Sequence, residues 1–321
     1  MTNILVTEPE TYSDESLSVL KKIGKVEARR ITRDELLKIV KRFDVLVIRM
    51  ETRVDKKLLD KAKRLKILAT GTTGLDHIDL EYAKHKKIKV ISLKGVPILK
   101  EVPSTAEHTF ALLLALIRRI PWAFDSVKKG EWFRSRFFGY QLTGRTFGII
   151  GFGRLGWIAA KIAKGFGMKV IAFDPHVEKT VIRKAGVLPV PFKDLLKKSD
   201  VVSIHATLTP ETENMIGYEQ FKLMKRGAVL INTARGKIVD ESALLLALKN
   251  KLIAGAALDV LSNEAVDENP AKRNLLVKYA RSNDNLIITP HLGGGAYEAQ
   301  EMTGAFLVQR VKEAASEVFK I

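Results

Sequence analysis

Three side chains of different chemical character stand where β-rich runs of the sequence give way to loops. They are Arg235 in Asn232-Thr233-Ala234-Arg235-Gly236, Glu264 shortly after Leu258-Asp259-Val260, and His291 in Thr289-Pro290-His291-Leu292-Gly293-Gly294. In an open α/β sheet the carboxyl ends of strands form the ligand crevice, so residues delivered there are candidate site residues. A histidine can hold or give a proton near neutral pH, since its unperturbed pKa is about 6.5. A carboxylate bonded to the other ring nitrogen orients the ring and favours its charged form. An arginine presents a planar fork that can take a carboxylate in two parallel bonds. Read singly, each has a bland alternative: a surface ion pair for Arg235, a solvated loop acid for Glu264.

A second motif concerns phosphate. Gly151-Phe152-Gly153-Arg154-Leu155-Gly156 follows the apolar run 148–150 and precedes a helical pattern at 158–162. In that context Gly151 permits a tight turn, Gly153 lets the backbone approach a pyrophosphate, and Gly156 lets helix and strand pack closely. The pyrophosphate would sit on the helix N-terminus, where unpaired N–H groups and the dipole favour negative charge. Asp174, 18 residues after Gly156, ends the run 170–173 and could accept both ribose hydroxyls. It would also repel a 2′-phosphate, so the pattern implies NAD rather than NADP.

Positioning such groups needs a sheet. Residues 3–93 alternate β-rich runs (4–6, 45–48, 67–69, 90–91) with helical patterns, one opened by the capping-box pair Thr32 and Glu35. A second series runs from Phe147 to Pro290, with β-rich runs at 148–150, 170–173, 201–204, 229–231, 255–258 and 286–288. Alternation of this kind implies parallel strands joined by right-handed crossovers. The expected class is α/β, with two Rossmann-like doubly wound parallel-sheet domains and the site in the cleft between them. Residues 1–98 and 291–321 would form a substrate-binding domain and 99–290 the dinucleotide-binding domain. The final helical pattern, 296–319, should return to the first domain. An apolar pattern at 105–120, ended by Pro121, joins the two series. It is apolar on more than one face, which points to a homodimer.

The 321 residues suit two domains. The absence of cysteine excludes disulfides, thiolate metal sites and cysteine nucleophiles, and suits a reducing cytoplasm. No histidines are spaced as in His-Glu-x-x-His, so no metal is expected. The start lacks the basic and apolar regions of a signal peptide, and the run 110–117 is too short to span a bilayer. A soluble, cytoplasmic protein is expected. Lys and Arg number 54 against 36 Asp and Glu, a net charge of +18. These cations are spread over helical patterns without interleaved aromatics, which reads as a solvated surface rather than a nucleic-acid face. Such a surface still favours small anionic substrates. Of the other histidines, His77 and His108 read as structural, His85 and His176 as solvated, and His205 as a strand end near the dinucleotide.

Together these segments closely resemble the D-isomer-specific 2-hydroxyacid dehydrogenases. The resemblance rests on Thr73-Gly74-Leu75-Asp76-His77-Ile78-Asp79-Leu80, on Ser104-Thr105-Ala106-Glu107-His108-Thr109, and on 151–156, 232–236, 255–260 and 289–294. These occur in the family's order over essentially the whole chain. The resemblance implies NAD-dependent interconversion of a D-2-hydroxy acid and its 2-keto acid, with Arg235, Glu264 and His291 as the catalytic set. Beside the three glycines it implies cofactor contacts from Thr73, Arg154, Leu155, Asp174, Ala206, Thr233, Ala234, Asp259, Gly293 and Gly294. Substrate contacts would come from the Thr73–Gly74 backbone, Arg235, Arg49 and Arg134, the last from a neighbouring subunit. Arg49 and Arg134 match positions that approach a phosphate, so the nearest branch acts on 3-phosphoglycerate and 3-phosphohydroxypyruvate in serine biosynthesis. The sequence departs from the pattern in three places. Thr70 stands where a third arginine is common, Thr207 where a proline is common, and the stretches at Asp267-Glu268-Asn269 and 278–282 are slightly long. Two alternatives stand beside this reading. One is reduction of glyoxylate, hydroxypyruvate or a lactate-type acid; the other is an NAD-sensing corepressor that binds without turnover. The complete triad and the lack of disordered arms weigh against the second. No appended sensor domain is expected after residue 321.

Overall fold

The computed structural model describes residues 1–264 and 269–320; Asp267 and Glu268 lie outside the described residues. The chain divides into two compact units, Met1–Val102 with Ala296–Ile321, and Pro103–Gly295.

In the first unit β1 (Thr2–Val6), β3 (Val45–Ile48) and β4 (Ile67–Thr70) are almost wholly buried, because the parallel sheet is covered on both faces. β2 (Gly24–Ala28) and β5 (Lys89–Ile91) close the edges in the order β2-β1-β3-β4-β5, with every pairing parallel. The order reverses between β1 and β3, which makes that point a ligand crevice by topology. One face carries the helix Tyr297–Phe319, whose Leu307, Val308 and Val311 share a core with Ile4, Val6, Val45 and Ile67. The last helix thus returns to the first unit. The other face is packed by Leu36, Leu58 and Leu59 against Leu5, Leu46 and Leu68.

The second unit contains β6 (Thr146–Ile150), β7 (Lys169–Phe173), β8 (Leu188–Pro189), β9 (Val201–Ile204), β10 (Val229–Asn232), β11 (Gly255–Leu258) and β12 (Leu286–Ile288). Their order is β12-β11-β10-β9-β6-β7-β8, again all parallel. Here the reversal falls between β6 and β9, at the turn that carries the glycine loop. Both units are therefore doubly wound.

Two expectations are corrected. The boundaries expected at 98/99 and 290/291 fall at Val102/Pro103 and Gly295/Ala296. The second shift has a clear cause. Asp259 binds the N–H groups of Leu292 and Gly293, and Ser104 Oγ binds Gly293 O, so His291 stays in the unit that carries Arg235 and Glu264. The apolar segment 105–120 is also not one helix. Ser104–Ile117 ends at Arg118 and Arg119, the latter at φ 55, and Pro121 falls in the first turn of Ile120–Lys128. A proline is tolerated there because the first helical N–H groups have no intrahelical partner. Phe110, Leu112, Leu113 and Leu116 are consumed inside the unit, in one core with Phe147, Ile149 and Ala159. The apolar surface left uncovered lies further on: Phe124 is 61% exposed, Trp132 85%, Phe133 62%, Phe138 70% and Tyr140 64%.

Candidate active site

β10, β11 and β12 are adjacent in-register strands about 5 Å apart, so the turns leaving their carboxyl ends are neighbours. The Arg235 turn is shaped by Asn232, whose Oδ1 accepts from Ala234 N at 3.0 Å and whose Nδ2 donates to Arg235 O at 2.9 Å. Glycine is required at 236, because a Cβ there would lie 2.1 Å from the carbonyl carbon of Leu261. Leu261 in turn opens the Glu264 turn, so the two turns pack backbone to backbone. Arg235 is half-buried, with Nη1 donating to Ala234 O at 2.7 Å.

Glu264 is folded back on its own turn. Its Oε2 accepts from Leu261 N at 3.0 Å, and its Oε1 lies 2.8 Å from His291 Nδ1. That bond fixes the imidazole orientation and leaves Nε2 without a partner among the described residues. His291 sits at φ 56, the left-handed region that non-glycine residues seldom adopt. Its N–H donates to Asp259 O at 2.9 Å and Thr289 O at 3.0 Å. The turn is gathered by Asp259. Its Oδ1 accepts from Thr289 Oγ1 at 2.6 Å and Leu292 N at 2.8 Å, and its Oδ2 from Gly293 N at 2.7 Å. Burial pushes this carboxyl up, but bonds from His108, Thr289 and Leu292 outweigh it and hold it below the usual carboxylate range. The Asp259 side chain is fully enclosed. Its carboxylate gathers the His291 turn.

The glycine loop has the shape its spacing implies. Gly151 lies at φ +89, and a Cβ there would meet Ala206 N at 2.6 Å; one on Gly156 would meet Gly151 O at 2.2 Å. A Cβ on Gly153 would meet nothing within 4 Å, and Gly153, the N-cap of the helix Arg154–Gly165, has no side chain to cap it. Open space before a helix N-terminus fits a pyrophosphate. Asp174 ends β7 beside the loop, with Oδ2 accepting from Phe152 N at 2.7 Å and Oδ1 from His176 N at 2.8 Å. Arg154 and Leu155 form the half-buried first turn of that helix, and partial burial lowers the Arg154 pKa. Ala206 follows β9 across the switch point, while Thr233 and Ala234 lie in the Arg235 turn and Gly294 in the His291 turn.

The remaining expected residues lie elsewhere. Thr73 and Gly74 follow β4 in the first unit, where Thr72 Oγ1 donates to Gly74 O at 2.8 Å. Arg49 ends β3 and is only 7% exposed. Its guanidinium lies 5.2 Å over the Tyr12 ring, and it donates to Gly71 O, Gln300 O and Thr303 Oγ1 at 3.4 Å each, with Nε unpartnered. Thr70 is buried, its Oγ1 bonded to Thr72 Oγ1 at 2.8 Å. Arg134 is exposed in the short turn Arg134–Phe137 of the second unit. Burial lowers the His205 pKa to about 4, so its ring is neutral at physiological pH and lies 2.9 Å from Ser203 Oγ. His77 is buried and lies 3.3 Å from Thr70 Oγ1, a structural position. Among the described residues no cluster of three or more His, Cys, Asp or Glu could hold a metal, and no helix is long and apolar enough to cross a membrane.

Residues 110–293 match the family model described as D-isomer specific 2-hydroxyacid dehydrogenase, NAD binding domain. The D-3-phosphoglycerate dehydrogenase of Methanocaldococcus jannaschii is 41% identical over 315 residues, 98% of this chain. The chain spans 57% of that relative's own length. The glyoxylate reductase of Thermococcus litoralis is 44% identical over 276 residues, 84% of this chain and 80% of that protein. Among solved structures, the D-lactate dehydrogenase from Aquifex aeolicus complexed with NAD and lactic acid superposes with a TM-score of 0.83. It is 32% identical and covers 99% of this chain and 97% of that one.

Proposed function

The chain belongs to the D-isomer specific 2-hydroxyacid dehydrogenases, and from that premise we propose that it interconverts a D-2-hydroxy acid and its 2-keto acid with NAD. The observation that carries the reading is the 2.8 Å Glu264–His291 pair, with Nε2 open, on a turn neighbouring that of Arg235. NAD, when bound, supplies or accepts the hydride. Arg235 takes the substrate carboxylate and polarises the carbonyl beside it. His291 Nε2 gives a proton to the carbonyl oxygen in reduction and takes it from the hydroxyl in oxidation. Glu264 holds the ring and balances its charge. The Gly151–Gly153 cradle and the start of the Arg154–Gly165 helix receive the pyrophosphate, and Asp174 the ribose.

The test is loss of NADH absorbance with a panel of 2-keto acids, set against NADPH. The expected result is turnover with at least one acid and a kcat/KM for NADH at least about tenfold above NADPH, about 1.4 kcal/mol. Asp174→Ala should narrow that margin by removing repulsion of the 2′-phosphate. Equal values in the wild type would overturn the role of Asp174. No oxidation with any acid would leave a corepressor-like binding protein.

On the substrate, the finer reading is the 3-phosphoglycerate pair, supported by the 41% identity over 98% of the chain to a relative of that name and by the exposed Arg134. Reduction of glyoxylate or hydroxypyruvate has its own observation: Arg49 is turned onto Tyr12 and Thr70 is buried. The arginine is loosely held, however. Its 3.4 Å contacts are at the limit of hydrogen bonding, and its Nε is unpartnered. A phosphate that draws it out should favour phosphohydroxypyruvate over hydroxypyruvate by at least about tenfold in kcat/KM, and Arg49→Ala should erase the margin. A wild type that prefers glyoxylate or hydroxypyruvate would sink the phosphate reading and spare the redox one.

A homodimer completes the proposal, with the exposed Phe124, Trp132, Phe133, Phe138 and Tyr140 covered by a second copy. Light scattering at micromolar concentration should give twice the monomer mass of 35.8 kDa. A monomer mass would refute it.

A further inference from the structure

We propose that His108 is a positioning residue for the proposed catalytic histidine, holding the His291 turn in shape through Asp259. This rests on the reading of His291 as the proton carrier. The helix Ser104–Ile117 touches each of the turns flanking the site through a polar side chain. Ser104 Oγ donates to Gly293 O at 2.7 Å, two residues beyond His291. His108 Nε2 lies 3.1 Å from Asp259 Oδ1 and 3.2 Å from Thr289 Oγ1, the latter two residues before His291. Thr109 Oγ1 lies 2.8 Å from Thr233 Oγ1, two residues before Arg235. Positions 104 and 108 share one helix face, because side chains four apart stand one above the other, and Thr109 stands about 100° round from His108 toward the neighbouring turn. The rest of the helix is spent on apolar packing. One rigid element therefore fixes the spacing between the arginine turn and the histidine turn.

Asp259 is the link. A fully enclosed carboxylate is costly unless it is bonded, and more so unless a positive group lies against it. Among the described residues His108 is the one titratable side chain in contact with it. The same aspartate accepts from His291 N through its main-chain oxygen and, through its carboxylate, from the two residues after His291. The left-handed backbone of His291 therefore depends on a carboxylate that depends on His108. Read from the sequence, His108 lies in a family-like motif and has a structural role only, with nothing to tie it to His291. Its signal is a set of polar residues at 104, 108 and 109 heading an otherwise apolar helix.

The test compares His108→Leu with His108→Gln, whose amide can still donate, after circular dichroism and Tm show both folded. His108→Leu should lower kcat for keto-acid reduction about tenfold, with KM for NADH within about twofold of wild type. The acid limb of kcat should move to higher pH. Asp259 works as a carboxylate, its bonds are lost as pH falls through its lowered pKa, and removing the His108 bond raises that pKa. His108→Gln should recover most of the turnover and the profile. His291 ring signals in NMR, assigned with His291→Asn, should shift in the leucine variant and return toward wild type in the glutamine one. His108→Asn, shorter but polar, should fall between and serves if the leucine variant does not fold. Unmoved His291 signals with unchanged kcat would overturn the proposal. So would a loss of kcat that only follows Tm and that glutamine does not restore. An inactive wild type whose His291 signals nevertheless shift would sink the catalytic reading and uphold the positioning.

Discussion

His291→Asn is expected to lower turnover about 100-fold or more while leaving NADH binding within about twofold of wild type. Asparagine can keep a hydrogen bond toward Glu264 but cannot carry a proton at neutral pH. The elements proposed to hold the dinucleotide lie at the carboxyl ends of other strands of the same sheet, in the glycine loop after β6 and in Asp174 after β7. They should not feel the loss. One complication is built into the backbone: His291 lies at φ 56, and asparagine tolerates that region better than most residues. The variant therefore removes the chemistry without adding strain, and stopped-flow NADH binding separates the two. Near-wild-type turnover of the purified variant would end the assignment.

Glu264→Gln and Glu264→Ala should form a graded pair. Glutamine keeps an acceptor for His291 Nδ1 and removes only the charge. A charge-assisted bond is worth about 1.5–3 kcal/mol and a neutral one about 0.5–1.5, so the difference is about a factor of ten in kcat/KM. Alanine removes the bond as well, and with it the anchor on Leu261 N, so the loss should approach about 100-fold. Steady-state kinetics at saturating NADH read both. Equal and small losses for the two variants would show that Glu264 supports the turn and not the ring.

The sequence showed the sheet more clearly where strands are buried on both faces than where they lie at an edge. β3, buried at every position, is an unbroken apolar run, and β9, equally buried, is interrupted only by Ser203. β2, with the sequence GKVEA, and β8, only Leu188–Pro189, pair on one side only and are not among the β-rich runs read from the sequence. Of the site, the glycine loop and Asp174 were legible from local spacing and a strand end, whereas the pairing of Glu264 with His291, 27 residues apart, came from the family resemblance. What could not be read is where side chains turn once two elements compete for them. Asp259 follows a strand, and its position does not show that three turn donors and His108 bind its carboxylate. Arg49 ends a strand as a phosphate ligand would, yet the Tyr12 ring and the last helix draw it inward. The apolar pattern at 105–120 likewise hides a break, because Arg119 at φ 55 ends the helix before Pro121 is reached.

The central claim is hydride transfer at C2 of a 2-keto acid, with the proton arriving separately from His291. It is tested most directly by reducing the best keto acid of the panel with NADH doubly deuterated at nicotinamide C4, in ordinary water, and analysing the product. The account predicts a 2-hydroxy acid of D configuration carrying one deuterium at C2 and none on exchangeable positions. A product without deuterium at C2, or of L configuration, would contradict it.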